Sequence, residues 1–346
     1  MGYVYRNHKG AEKDMKILYL PDMYSQQRQH EKKRWIYPIL MAMEATYYRE
    51  QGFDVKWDEP LDNSYNNSDN KIVIEPEGLP FLSLPQPDRL FTNAFNKRYQ
   101  NNGNFKYHPG TYIQAASGCW HGKCSFCVEK GKPYEVRPVE DVIEEIKECK
   151  ALGFKEVFDD SGTFPVGKWL DNFCRRLEPL KIRFSCNARL VDSDYRKLHS
   201  AGFRMLLFGI ESGNQKTLDR INKGVQIEDI KYVIRAAKAG LEPHVAVMFG
   251  HPGESDSDAE NTLRLVWWLL KKGYAKTAQA SFYSVPGVVG KESSRKYIKQ
   301  IYRVATSPTF WLNKLRDIHN VADLKYLWRQ IKEGLNGLNT RQKDCR

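Results

Sequence analysis

The chain has 346 residues, 41% of them hydrophobic and 12% aromatic, which is enough to bury a full core and too apolar for a disordered segment. No apolar run approaches the roughly 20 residues that span a bilayer, residues 1–16 contain no apolar signal region, and seven scattered cysteines are not a secreted disulfide framework. These features, and above all the free cysteines, point to a reducing cytoplasm. The net charge of +12 is concentrated late, with 13 Lys or Arg against 5 Asp or Glu from Lys291 to Arg346. Such a tail admits RNA, a phosphorylated lipid or an acidic partner, but reads more simply as the solvated face of amphipathic helices.

In chain order, residues 16–21 read as a short buried strand. Residues 38–52 form a helix, with Ile39, Ala42, Met43, Ala45 and Tyr48 at helical spacing and a closing glycine. Strands follow at 53–57 and 71–75, the polar stretch 63–70 being a loop. This order gives a small α/β unit. Residues 79–109, rich in Pro, Asn and Gly, read as connecting chain. From residue 111 strands and helices alternate: strands at 111–116, 156–158, 183–187, 205–210, 245–249 and 278–285. The intervening helices lie at 139–153, 168–180, 192–202, 215–222, 227–240 and 256–273. Six repeats predict a parallel sheet, either open and doubly wound or curved into a partial barrel, and periodicity does not separate the two. The division predicted is a small unit over 1–95, a linker over 96–110, a large domain over 111–290 and a basic helical extension over 291–346.

Polar groups recur where the strands end. Asp159, Asp160, Ser161, Gly162 and Thr163 follow the second strand of the large domain, and Asn187 and Arg189 the third. Glu211, Ser212, Gly213 and Asn214 follow the fourth, residues 250–254 (Gly-His-Pro-Gly-Glu) the fifth, and Pro286-Gly287 the sixth. Barrel enzymes place their chemistry at these ends. Taken singly each has a plainer reading. Asp159 and Asp160 suit a solvated turn or a helix cap, Glu211 a structural ion pair, and His121 and His251 positional roles. Trp267 and Trp268 suit the core, and Cys149, Cys174 and Cys186 buried thiols.

The first strand end carries Gly118-Cys-Trp-His-Gly-Lys-Cys-Ser-Phe-Cys. Cys119, Cys124 and Cys127 are close enough in sequence to hold one metal centre. Three thiolates leave one iron of a [4Fe–4S] cubane open to a further ligand. Structural zinc, with His121 as a fourth ligand, is the competing reading, although no second ligand pair stands nearby.

This motif, on a loop after a strand and with an aromatic residue before its last cysteine, resembles that of the radical S-adenosylmethionine (SAM) superfamily. With four residues between the first two cysteines, it resembles the CX4CX2C form of the cobalamin (B12)-binding-domain-containing branch. The resemblance implies a partial (β/α)6 TIM-like barrel, preceded by a truncated Rossmann-like unit of the B12-binding type and followed by C-terminal helices. It implies that Cys119, Cys124 and Cys127 bind the cluster and that SAM chelates its open iron. Asp160, Ser161 and Gly162 would then meet the amino group of SAM, Asn187 or Arg189 its carboxylate, and Glu211 and Ser212 its ribose or methionine end. Phe126 and the strand ending at Gly250 would flank the adenine. The implied activity is reductive cleavage of SAM to a 5′-deoxyadenosyl radical for C-methylation, or another radical modification, of a metabolite, lipid or peptide. A one-electron donor such as flavodoxin or ferredoxin is the implied partner. Cobalamin is disfavoured because the first unit is short and has no Asp-x-His-x-x-Gly motif. Two rivals remain, a tRNA-modifying radical enzyme and a zinc-stabilised binding protein without catalysis.

Overall fold

The computed structural model describes residues 16–19, 36–57, 72–73, 79–100, 103–285 and 288–339. The expected loop at 63–70, Pro286-Gly287, and the ends of the strands read at 16–21 and 71–75 lie outside them. Strand β1 (Lys16–Tyr19), helix α1 (Ile39–Glu50), β2 (Asp54–Trp57) and β3 (Ile72–Val73) form the first unit. Its three strands are parallel in the order β2-β1-β3. Neighbours on both sides of the first strand are how doubly wound units begin.

Helix α2 (Lys97–Gln100) leads into the large sheet through β4 (Gly110–Ile113), followed by the short pair β5 (Ala116–Ser117) and β6 (Glu135–Val136). Then come α3 (Val139–Ala151), β7 (Glu156–Asp159), α4 (Lys168–Leu177), β8 (Arg183–Ala188), α5 (Tyr195–Ala201) and β9 (Phe203–Glu211). The alternation continues with α6 (Gln215–Arg220), α7 (Lys231–Lys238), β10 (Glu242–Phe249), α8 (Asp256–Lys271) and β11 (Thr277–Phe282). A hairpin, β12 (Ser284–Val285) with β13 (Val288–Val289), precedes α9 (Arg295–Ile301), α10 (Pro308–Arg316) and α11 (Val321–Asn339).

The sheet order β11-β10-β9-β8-β7-β4 is monotonic and every pairing is parallel. A doubly wound sheet reverses its strand order at a switch point; this one never does. Each right-handed crossover therefore puts its helix on the same face. The helices accordingly pack in chain order, α3 on α4, α4 on α5 and α5 on α7. This is the curved half-barrel, and it decides between the two arrangements that periodicity left open.

Local signals account for the boundaries. Helix α5 starts at Asp194, whose carboxylate accepts from the Lys197 amide at 3.0 Å, rather than at Asp192 as read from the sequence. Ser255 and Asp258 form a capping box at α8. Between β8, β9 and α4 an aromatic cluster of Phe164, Phe173, Phe184 and Phe203 packs edge to face or tilted, with ring centroids 4.9 to 6.1 Å apart. Each such pair adds about 0.5–1.5 kcal/mol to its area burial.

Residues 79–109 are more than connecting chain. Phe81, Ala94, Tyr99 and Phe105 are buried in the same core as the barrel. Arg89 is fully buried, 2.5 Å from Glu145 of α3 and 2.9 Å from the Tyr112 carbonyl, and Arg137 sits on the other Glu145 oxygen at 2.5 Å. Two cations on one carboxylate offset the cost of burying it and hold its charged form.

The amino-terminal end of the sheet is closed by a second ion network. Arg204 donates to Glu156 at 2.6 Å, to Glu242 at 2.8 Å and to the Asn104 carbonyl at 2.6 Å. Lys106 pairs with Glu242 and with Asp323 of α11, both at 2.5 Å. The Lys106 and Tyr107 amides complete the Glu156 carboxylate. Burial opposes the charge on Glu242, yet Arg204 and Lys106 outweigh it and hold that carboxyl below its usual range. Thus α11 seals one end of the sheet and leaves the carboxyl end for chemistry. No helix among the described residues is long and apolar enough to cross a membrane.

Candidate active site at the carboxyl end of the sheet

The cysteine loop, residues 118–134, is the connection between β5 and β6, just beyond the end of β4. Gly162, after β7, lets it come close: a Cβ there would stand 2.8 Å from the Gly118 carbonyl oxygen. The loop carries its own turns, with Cys127 N–H on the Cys124 carbonyl at 3.2 Å and Gly131 N–H on that of Gly122 at 3.0 Å. All three cysteines are free thiols, Cys124 buried and the others half-buried.

Two sulfurs already receive donors. The Glu129 amide points at Cys127 Sγ from 3.4 Å, and Arg189 Nη1 lies 3.9 Å from Cys124 Sγ. Burial chiefly holds the Cys127 thiol above its usual pKa; the Glu129 amide pulls it down, and nearby Cys124 and Cys119 push it up. A cationic neighbour and amide donors to sulfur are what a thiolate-bound iron–sulfur cluster uses. Among the described residues no three His, Cys, Asp or Glu converge on a single metal ion. His121 Nε2 meets the Asn222 carbonyl at 2.8 Å.

That contact belongs to a clamp. The turn after α6 receives the cysteine loop at two points, Ser125 N–H on the Ile221 carbonyl at 2.9 Å and His121 on Asn222, and is held at a third by Arg189 after β8, which donates to the Lys223 carbonyl. Gly224 makes room for the His121 ring, which a Cβ would meet at 2.5 Å. Arg189 also lies over Trp120, 5.1 Å from its centroid. His121→Ala is expected to loosen this clamp without removing a ligand. Iron retained after gel filtration should fall, with about a tenfold loss of cluster affinity as for other outer partners; unchanged retention would count against the clamp.

The other expected residues divide into two groups. Asn187 Nδ2 donates to the Ser161 carbonyl at 2.9 Å, and Ser161 Oγ accepts from the Ala116 amide at 2.8 Å, so β5, the end of β7 and β8 are stitched together beneath the cysteine loop. The Asp160 amide is bonded to the Ile113 carbonyl at 2.9 Å. Asp159 is not a solvated turn residue: it is fully buried, accepts from the amides of Ala115 (2.6 Å) and Ser161 (3.0 Å), and burial pushes its carboxyl up to about 7. Glu211 has φ +65°, a left-handed conformation unusual for its type, next to a register shift between β9 and β10. Strain of this kind gathers at functional sites. Its carboxylate pairs with Lys223 at 2.7 Å, and the Lys223 ammonium lies 5.9 Å from the Phe126 ring centroid. The chain Cys124–Arg189–Lys223–Glu211 therefore links three strand ends.

Ser212 and Gly250 stand apart from this chain. The Ser212 hydroxyl lies 3.3 Å from Thr262 Oγ1 of α8 and accepts from the Asn214 amide at 3.2 Å. The Gly250 amide donates to Glu254 at 2.6 Å. Lys223, Trp120 and the Glu129 amide were not foreseen from sequence; Asn222-Lys223-Gly224 signals a turn but not what the turn holds. Arg189 Nε is buried and has no hydrogen-bond partner. A cation with a spare donor beside the cysteines fits a carboxylate ligand such as that of SAM.

The singly wound half-barrel places the three-cysteine loop at the carboxyl end of its strands, where barrel enzymes carry their sites. Residues 113–266 match the family model described as the Radical SAM superfamily. A putative methylthiotransferase from Methanocaldococcus jannaschii is 28% identical over 213 residues, covering 56% of this chain and 45% of its own length. The threonylcarbamoyladenosine tRNA methylthiotransferase of Thermotoga maritima is 25% identical over 224 residues, 59% of this chain and 47% of that protein. The chain thus spans less than half the length of these relatives. Among solved structures, the radical S-adenosylmethionine methyltransferase TsrM of Kitasatospora setae matches with TM-score 0.46 and 20% identity, covering 57% of this chain and 38% of that one.

Proposed function

We propose that the chain is a radical SAM enzyme in which Cys119, Cys124 and Cys127 hold a [4Fe–4S] cluster and SAM binds beside it. One observation carries the reading: the cysteine loop sits at the carboxyl end of the half-barrel, within the matched region, with donors already on two of its sulfurs. When bound, the cluster would supply the electron for reductive cleavage of SAM to methionine and a 5′-deoxyadenosyl radical, the species that would take hydrogen from an unreactive C–H bond. The protein positions and shields this chemistry. Arg189 offers a cation and a spare N–H for the SAM carboxylate. The backbone at residues 160–162 faces its amino group, Glu211 and Ser212 its ribose or methionine end, Asn187 the carboxylate side, and Phe126 with the strand ending at Gly250 its adenine. The substrate is a metabolite, lipid or peptide that is C-methylated or otherwise modified by radical chemistry. A flavodoxin or ferredoxin supplies the electron in the cytoplasm. Cobalamin is not assigned to the short first unit.

A second reading places the target on RNA, favoured by the two methylthiotransferase relatives, one of them named for a tRNA nucleoside. The test of the first proposal is anaerobic reconstitution with iron and sulfide, reduction with SAM, and assay of 5′-deoxyadenosine. About four irons per chain with 5′-deoxyadenosine formed is the expected result. Zinc without iron, and intact SAM, would overturn it.

A further inference from the structure

Beside the ion network at the amino-terminal end of the sheet lies an open cleft of about 950 Å³. Tyr107 precedes β4, Lys155 precedes β7, Arg183 begins β8, and Lys325, Trp328 and Arg329 come from α11. The charge is one-sided: five Lys or Arg line the cleft and no Asp or Glu does. Lys106, the fifth, is already committed to Glu242 and Asp323, and Arg329 to the Lys106 carbonyl and His108. Lys155, Arg183 and Lys325 are exposed, and none has an acidic partner among the described residues. Arg183 lies over the Tyr107 ring, 5.6 Å from its centroid, and the three cations together attract an anion from outside.

The other wall is apolar. Val321, Leu324, Lys325 and Trp328 recur at helical spacing and share one face of α11, and the Trp328 ring is 67% exposed. A surface that combines unpaired cations with a bare indole suits a ligand that is both anionic and aromatic. An acidic peptide would satisfy the cations and leave the indole idle; a lipid headgroup would do the same. A phosphate chain with unstacked bases uses both.

The geometry points to a docking site for a single-stranded polynucleotide, with phosphates on Lys155, Arg183 and Lys325 and a base stacked on Trp328. Lys155 stands five residues before Asp160, about 16 Å along an extended strand. The cleft is therefore at the opposite end of the sheet from the cysteine loop and binds without touching it. It stands independently of whether the cysteines hold a cluster.

The test uses the full reconstituted chain and fluorescence anisotropy with labelled 12-nucleotide oligouridylate and oligothymidylate, at 50 and 200 mM salt. Polyglutamate serves as competitor. Binding is expected to weaken with salt, with a slope of about −0.7 per phosphate contact. The triple variant Lys155→Glu, Arg183→Glu, Lys325→Glu should lose at least tenfold in affinity and about two units of that slope. Trp328→Ala should lose roughly fivefold or more. Preference for one oligomer assigns RNA or DNA. Iron content and 5′-deoxyadenosine formation without oligomer should be unchanged in both variants, so failure here is distinguishable from failure of the radical reading. Equal binding by wild type and the triple variant, absence of binding at 50 mM salt, or full displacement by polyglutamate at equal charge would overturn the proposal.

Discussion

Cys124→Ala is expected to yield a folded chain that retains little iron and forms no detectable 5′-deoxyadenosine. Cys119→Ala and Cys127→Ala should behave alike. On the proposed assignment each substitution removes a ligand to the cluster, so the effect should exceed the roughly 100-fold typical of outer partners. Cys124 is the most informative of the three, because it is 6% exposed and carries Arg189 at 3.9 Å. Removing it also leaves the guanidinium facing a void. The matched control is Cys149→Ala. That thiol is fully buried, and burial pushes its pKa up to about 12, so it is not a thiolate at working pH. Iron and activity should survive there. A Cys124→Ala protein that keeps four irons and full turnover would refute the assignment of the loop; equal loss in Cys149→Ala would show the effect to be structural.

Arg204→Met is expected to cost about 3–5 kcal/mol of stability, because it strands buried carboxylates rather than removing a pair. Glu156 is fully buried and Glu242 partly so, and Arg204 is the guanidinium shared by both. Lys106 still compensates Glu242, whereas Glu156 keeps only amide and hydroxyl donors. At about 2–4 °C per kcal/mol, the melting temperature should drop by roughly 10 °C. Adding Glu156→Gln to the variant should restore part of it by removing the stranded charge. Urea denaturation midpoints for the single and double variants check this. A loss below about 1 kcal/mol, or no recovery in the double variant, would mean that the network is not what closes this end of the sheet.

The large sheet was legible because parallel strands covered on both faces leave continuous apolar runs. Met205-Leu-Leu-Phe and the run Val245 to Phe249 each end in a glycine or a polar cluster. The choice of half-barrel over open sheet was not legible from periodicity, since winding is a property of strand order; the motif resemblance supplied it, and the monotonic order bears it out. The two-residue strands β5, β6, β12 and β13 are too short to carry any period. Asp159 misled because an aspartate beside another in a turn-like stretch reads as solvated, while here it accepts two buried amides. The site was half visible. Its cysteines and strand-end residues announce themselves by spacing, but Lys223 and the clamp on His121 arise from a turn meeting a loop about 100 residues away in sequence. Nothing local encodes that meeting.

The ion network beneath the sheet also sets an order of events during synthesis. Glu156 can meet Arg204 once that stretch of chain has emerged, and Lys106 can then find Glu242. Asp323, on α11, follows Glu242 by 81 residues. At about 5–20 residues per second, that is an interval of roughly 4–16 seconds. Throughout it the lower mouth of the nascent barrel stands open, with Tyr326 not yet over Arg204. Helix α11 then works as a closing latch, reached only after every strand of the sheet has been made.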